Sequence, residues 1–377
     1  MKRKLASILS IIIFSIMFIG CFNYREINKI TFATSIIFDR DEYDNVILYI
    51  DCVRPYRNAN ESSDKGRRII FKGTGKTSLE AIREMNVKSS NRINFSQVRA
   101  YIFTEQAARK GVKKYIDLIN NDQEFGFKPY MFTYFGDVNT LLDVTSSDEE
   151  YLGLYLDQLV EKNRSNAKVI SANVNDYITK SLVANNISYM GAFIINDDAL
   201  DKKIELNGGV IMKDNHMIDR LEQKDVVSYN LLTRRVNDGT LEIPNPDEKD
   251  KFVTLDILED NLETKVRIDG DKVILEKNIN LKVSIGEIQG SLIVDEEALD
   301  TLKVDEEEKI KIYLNDLFKN YKEKGIDILG VRRLVEEYYP QNSVEDILGS
   351  TELNLNINLV IDGSSLVRDK IGRASCR

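Results

Sequence analysis

The chain is 377 residues long, 42% hydrophobic and 30% charged, with a formal net charge of −9. That is enough apolar material for two or three domain cores and too much for wholesale disorder. The acidic balance disfavours nucleic acid and anionic lipid headgroups as partners. Three widely spaced cysteines (Cys21, Cys52, Cys376) and one histidine, His216, exclude a zinc site of Cys/His spacing and a triad needing more than that histidine.

The first element is "MKRKLASILSIIIFSIMFIGC". Lys2, Arg3 and Lys4 form a basic start, and Leu5 to Ile19 is almost wholly apolar. The run is short of the ~20 residues that span a bilayer and fits the core of a signal peptide, so the chain beyond it is expected outside the cytoplasm. Phe18-Ile19-Gly20-Cys21 resembles a lipobox, in which the cysteine thiol takes a diacylglycerol and the chain is cut just before it, after a small residue. Phe18 and Ile19 depart from the usual Leu and Ala or Ser. The alternative, an uncleaved anchor with an incidental cysteine, is weaker because Cys21 ends the apolar run and the sequence turns polar at once. The expected sole prosthetic group is thus covalent lipid on Cys21, with no cofactor and no metal. Arg25 and Glu26, just past the anchor, are candidate membrane-proximal contacts; a solvated segment is the alternative reading.

"ITFATSIIFD" and "NVILYIDCV" predict a hairpin closed by Asp39 to Asn45. Asp39, Asp41 and Asp44 have the wrong spacing for a calcium loop and lack its glycine, so a solvated turn is expected. Period-two alternation puts Leu48, Ile50 and Cys52 on one buried face. "RRIIF" predicts a strand. "GTGKTSLEAIREM" after it has the look of a phosphate loop, yet a Walker A loop needs glycine where Ile70 stands. The structural reading is a turn made by Gly73 and Gly75, a helix capped by Thr77 with Glu80 completing a capping box, and a buried face of Leu79, Ala81, Ile82 and Met85. The strand "QVRAYIFT", a helix over "EQAARKGVKKYIDLINN", the strand "YMFTYFG", helices in "DEEYLGLYLDQLVEKNRS" and "NVNDYITKSLVA", and the strand "ISYMGAFIIND" complete an α/β domain, bounded at 21–200 after a signal peptide over 1–20.

A small hairpin-helix unit is expected over 201–247. "LNGGVIMKDNHMIDRL" turns at Asp214-Asn215, His216 is a surface residue beside that turn, and "KDVVSYNLLTRRV" is a short helix. "EIPNPDEKD" is the best linker candidate. An α+β domain is expected over 248–370. It holds strands at "FVTLDIL", "LETKVRI" and "KVILEKNINLKVSIGEIQG", then a helix from Asp305 to about Lys324 with Ile310, Leu314, Leu317 and Tyr321 on one face. Asp305 to Glu308 suit the positive end of that helix. "DILGVRRLVEEYYP" is a further helix stopped by Pro340. In the last strand, "ELNLNINLVI", Leu353, Leu355, Ile357, Leu359 and Ile361 alternate with Asn354, Asn356 and Asn358, which implies an open, largely antiparallel sheet with helices on one face and water on the other. Residues 371–377, "IGRASCR", resemble a translated sequencing adapter and are expected to be an artefactual tail; a basic disordered tail is the alternative.

Taken in order, several of these stretches resemble one family. "GCFNYREINKI" is similar to the lipobox-proximal start of the Ger(x)C lipoproteins, the C subunits of spore germinant receptors: Gly20, Cys21, Arg25, Glu26 and Ile27 match, while Phe22 and Asn23 replace the usual Trp-Asp. "GTGKTSLEAIREM", the 206–221 hairpin, and "DILGVRRLVEEYYP" with its final strand resemble the family's later landmarks. The resemblance runs from about Cys21 to Ile361. It implies three mixed α/β domains and a non-enzymatic subunit held by its lipid on the extracytoplasmic face of the inner spore membrane. Its implied partners are a transporter-like integral membrane subunit and a larger A-type subunit. A solute-binding lipoprotein of an uptake system would show two α/β lobes, which the C-terminal half disfavours. A surface enzyme lacks any nucleophile motif or metal-ligand cluster here.

Overall fold

The computed structural model describes residues 29–54, 67–144, 150–183, 186–196, 202–341 and 343–364. Its first sheet has the order β3-β2-β1-β5-β6-β7-β8-β9, with the short β4 also on β1. The strands are β1 (Ile30–Arg40), β2 (Val46–Arg54), β3 (Arg67–Gly75), β4 (Arg92–Asn94), β5 (Ala100–Thr104), β6 (Tyr130–Tyr134), β7 (Ile187–Asn196), β8 (Lys203–Lys213) and β9 (His216–Leu221). β1, β5, β6 and β7 run parallel, and antiparallel hairpins extend both ends. Helices cover both faces, which is why the central strands read as unbroken apolar runs rather than alternating ones. One face packs α1 (Ser78–Lys88), α2 (Glu105–Lys110), α3 (Lys113–Asn121) and α6 (Val174–Ser181) over Ile36, Phe38, Leu48, Ile50 and Cys52; the other packs α4 (Val138–Asp143) and α5 (Leu152–Lys162) over Ile37, Ile102 and Phe132.

The second sheet has the order β10-β11-β12-β13: β10 (Thr240–Pro244), β11 (Phe252–Asp269), β12 (Lys272–Ile288) and β13 (Thr351–Ser364). Its first two pairings are antiparallel and the last is parallel. Helices α7 (Val226–Thr233), α8 (Glu296–Glu323) and α9 (Val331–Tyr338) cover the inward-facing side chains, while Glu352, Asn354, Asn356 and Asn358 face water, as the alternation of β13 predicts. This core is continuous with Ile187, Tyr189, Ile211 and Leu221 of the first sheet. The architecture is mixed α/β throughout, with a largely antiparallel second sheet bearing helices on one face. Residues 201–247 supply β8 and β9 to the first sheet and β10 to the second.

Several local expectations change. β3 runs through Gly75, so Gly73 and Gly75 are strand residues and not a turn. They are glycine because α1 lies directly on them: a Cβ at Gly73 would stand 2.2 Å from the Ala81 carbonyl oxygen, and one at Gly75 would stand 2.8 Å from the Ala81 nitrogen. Thr77 caps α1 as expected, but Glu80 accepts from the Lys76 amide rather than from the cap residue, and Leu79 is 44% exposed. The single helix expected after β5 is two, broken where Gly111 takes φ 104°. The "FVTLDIL" and "LETKVRI" strands are one, because a bulge at Leu258 shifts the register and Glu259, Asp260 and Asn261 then pair with Lys282, Leu281 and Asn280 rather than forming a loop. Helix α8 begins with Asp295 as its cap and Glu296 and Glu297 in its first turn, so Asp305 to Glu308 lie mid-helix, away from its positive end. "EIPNPDEKD" is a hairpin connection and not a tether: Asn245 is buried and donates to Gln289 and Ser291 carbonyls.

Candidate functional site

Cys21, Arg25 and Glu26 lie outside the described residues, as does the 371–377 tail. No helix among the described residues is long and apolar enough to cross a membrane. The phosphate-loop look-alike has no free cradle. The Thr74 amide donates to Glu84 Oε2 at 2.5 Å and the Lys76 amide to Glu80 Oε2 at 2.7 Å, so carboxylates occupy the positions an anion would need. The Asp39 to Asn45 turn is built by Asp41, whose Oδ1 accepts from the Tyr43 and Asn45 amides, while Asp44 takes a positive φ and pairs with Arg40. Cys52 is fully buried, and burial pushes its thiol far above the ordinary range. His216 is exposed but not unoriented: Nδ1 lies 2.8 Å from the Asp214 carbonyl oxygen, and its ring sits over the Gly111 break. Among the described residues no cluster of three or more His, Cys, Asp and Glu side chains is placed to hold a metal ion.

Asp51 and Arg68 form a buried ion pair at 2.9 Å in the first sheet, and two further buried charges flank one helix, α7. On one side, an open groove of 950 Å³ runs between α7, β10 and α8, with Val227, Leu231, Ile310 and Leu314 on its apolar wall. Glu306 lies at its floor, 2% exposed, and its Oε2 accepts no hydrogen bond. Lys309 Nζ is 3.6 Å from that oxygen, too far for a hydrogen bond, because the ammonium donates to the Glu242 carbonyl. Burial raises the Glu306 carboxyl to about 7 against the pull of Lys309.

On the other side, a cavity of 420 Å³ opens where the two sheets meet, between α6, β7, α7, β11, β12 and α9. Its inner end holds Lys277, 4% exposed on the core face of β12. Lys277 Nζ donates to the Leu232 carbonyl at 2.7 Å and to Thr264 Oγ1 at 2.9 Å, so the ammonium sits at the negative C-terminal end of α7. Tyr189 and Tyr229, ring centroids 5.1 Å apart, form one wall, and the Tyr189 hydroxyl donates to the Ile328 carbonyl. Asp327 accepts from the Val331 and Arg332 amides, capping α9.

Sequence reasoning missed both charges, although their signals are present. Lys277 occupies the inward parity of Val273, Leu275, Ile279 and Leu281, and Glu306 falls on the stripe of Leu302, Ile310 and Leu314. A charge on a buried stripe is the anomaly worth reading. Helix α7 also joins the sheets. Asn230 Nδ2 donates to the Ala167 and Val169 carbonyls, and Arg234 donates to those of Arg164, Asn166 and Val169.

A protein of two helix-covered sheets, one mixed and one largely antiparallel, riveted through a short helix, is therefore the class defined by the fold. The model of the "Spore germination protein N-terminal domain" matches residues 23–190, and that of the "Spore germination B3/GerAC like, C-terminal" domain matches residues 207–364. The chain belongs to the Ger(x)C family. It is similar to spore germination protein GerQC of Bacillus cereus, 23% identical over 334 residues that cover 86% of this chain and 88% of the relative. It is also similar to spore germination protein KC of Bacillus subtilis strain 168, 20% identical over 52% of this chain and 51% of that one. The crystal structure of the GerBC protein shares its fold, with TM-score 0.53, 13% identity, and coverage of 86% of this chain and 96% of that one.

Proposed function

We propose that this chain is the lipid-anchored C subunit of a spore nutrient germinant receptor, acting by assembly and signal transmission and not by catalysis. The observation that carries the reading is the ordered match of both family domains along residues 23–364, supported by a relative aligned over most of both chains. Cys21 takes the lipid, and two acyl chains hold a protein on a bilayer stably, each buried CH₂ contributing about 0.8 kcal/mol. The acidic body then sits on the extracytoplasmic face of the inner spore membrane, where Arg25 and Glu26 lie at membrane height. A transporter-like integral membrane subunit and an A-type subunit are its partners.

Deletion of the gene, complemented with the wild type or with Cys21→Ala, tests this. Nutrient-triggered germination should be lost on deletion and restored by the wild type. Radiolabelled fatty acid should enter the wild type and not the Cys21→Ala protein. Normal germination of the deletion strain, with no paralogue covering for it, would sink the proposal.

A further inference from the structure

The cavity at the junction of the two sheets has features of a ligand site, and these stand independently of the receptor reading. Lys277 is a buried ammonium without a counter-ion. An ammonium has three donors, and two are used, on Leu232 and Thr264; among the described residues no carboxylate pairs with it. Burial lowers it to about 8, and the charge that acts on it in the same direction is another cation, Arg333. Lys180, whose Nζ lies 5.1 Å from the centroid of the Tyr189 ring, adds a third cation to the cavity wall. Lys277 is the desolvated member; Arg333 is exposed at the mouth and lies 3.7 Å from Glu337, yet it still acts on Lys277 as a like charge, and an anion between the two would turn that repulsion into attraction. Asp327, the one carboxylate among the described residues that line the cavity, is committed to the amides of α9. Beside the hydroxyls of Thr179 and Thr233, the rest of the wall is mainly apolar or aromatic, with Ile187, Tyr189, Tyr229 and Leu334 the largest side chains on it. At 420 Å³ the space lies within the ~300–1,000 Å³ of small-molecule sites.

We infer that this cavity binds a small monocarboxylate with an apolar body, its carboxylate on Lys277 with Arg333 at the mouth and its body against Tyr189, Tyr229 and Leu334. A bare inorganic anion would satisfy the cations and waste the apolar wall. An amine would meet three like charges. The site takes residues from both sheets, with Lys180 and Tyr189 on the first-sheet side and Lys277 and Arg333 on the second, so occupancy would strengthen the junction itself.

The test is titration calorimetry on the full-length protein in detergent, with phenylacetate and butyrate as probes. Benzyl alcohol and benzylamine are the matched uncharged and cationic controls, and inorganic phosphate is the anion without an apolar body. Phenylacetate should bind at least about tenfold more tightly than benzyl alcohol, the factor one charge-assisted hydrogen bond supplies, and should lose that advantage in Lys277→Met. Should Lys277→Met fail to fold, the double variant Lys180→Gln/Arg333→Gln, altered only at exposed side chains, must still weaken phenylacetate severalfold. Phenylacetate no tighter than benzyl alcohol overturns the assignment, as does affinity unchanged in the variants. Phosphate binding as tightly as phenylacetate overturns the ligand class.

Discussion

Glu306 makes the pH dependence of stability calculable. Its carboxyl is 2% exposed on the inward stripe of α8, and burial raises it from 4.5 to about 7. Between those values the folded chain holds a proton that the unfolded chain has released, so this group's contribution is fully present below about pH 4.5 and is lost as pH rises through about 7. At 1.36 kcal/mol per pH unit, the whole displacement is on the order of 3 kcal/mol, of which roughly 2.5 falls between about pH 5 and about pH 8. Glu306→Gln keeps the side-chain shape and removes the titration. Urea unfolding of both proteins at matched ionic strength should show the wild type losing about 2.5 kcal/mol relative to the variant over that interval. Subtraction cancels every other titrating group that behaves alike in both. A difference flat to within about 0.5 kcal/mol would show that water or Lys309 already solvates the carboxylate, and the burial argument would fall with it.

Gly73→Ala should destabilise by about 3 kcal/mol or prevent folding, because its Cβ would meet the Ala81 carbonyl at 2.2 Å and backbone cannot yield as a side chain does; circular dichroism melts check it. Lys76→Ala, at an exposed position, should stay within about 0.5 kcal/mol of the wild type in the same melts and leave germination intact. Asn230→Ala should cost about 2 kcal/mol in urea unfolding, since the Ala167 and Val169 carbonyls lose a buried donor. Cys52 should resist a thiol reagent in the native protein and react at once in denaturant, its thiol being both buried and pushed far up in pKa.

Legibility in the sequence tracks the physics of each element. The Asn ladder of β13 and the Ile310 to Tyr321 stripe are readable because one face is buried and the other wet, which prints a period directly. Asp214-Asn215 is readable because both residues take positive φ, 50° and 63°, which few residue types tolerate. The first turns of α8 escape sequence reasoning because they bury little apart from Leu302 and Glu306 and look like solvated acidic sequence. Gly73 and Gly75 suggest a turn because a glycine required by close approach is indistinguishable, in one sequence, from a glycine required by φ. The Glu259-Asp260-Asn261 run suggests a loop because polarity ordinarily ends a strand; a bulge carries it through, with Asp260 turned inward and raised by burial to about 7. Cys21, Arg25 and Glu26, the residues on which sequence reasoning leans most, lie outside the described residues.

The two missed charges share a neighbour, and that neighbour limits how this chain can respond to anything that binds it. Helix α7 has Glu306 across the groove on one flank and Lys277 on its terminal carbonyl at the other, and its Asn230 together with Arg234 holds the 164–169 segment leading to the first sheet. Sliding one sheet past the other would break those backbone-directed bonds together, each costing about 1–3 kcal/mol if its partner stays buried. A small displacement of α7 is cheaper where a buried charge is poorly compensated, at Glu306 with Lys309 at 3.6 Å and at Lys277 with no carboxylate partner among the described residues. Relief of either charge, by protonation or by an anion, therefore changes the energy of the same eight-residue helix that joins the sheets. Two of the buried charges among the described residues thus lie on the mechanical joint, and a ligand or subunit acting there alters that joint directly rather than through the cores on either side.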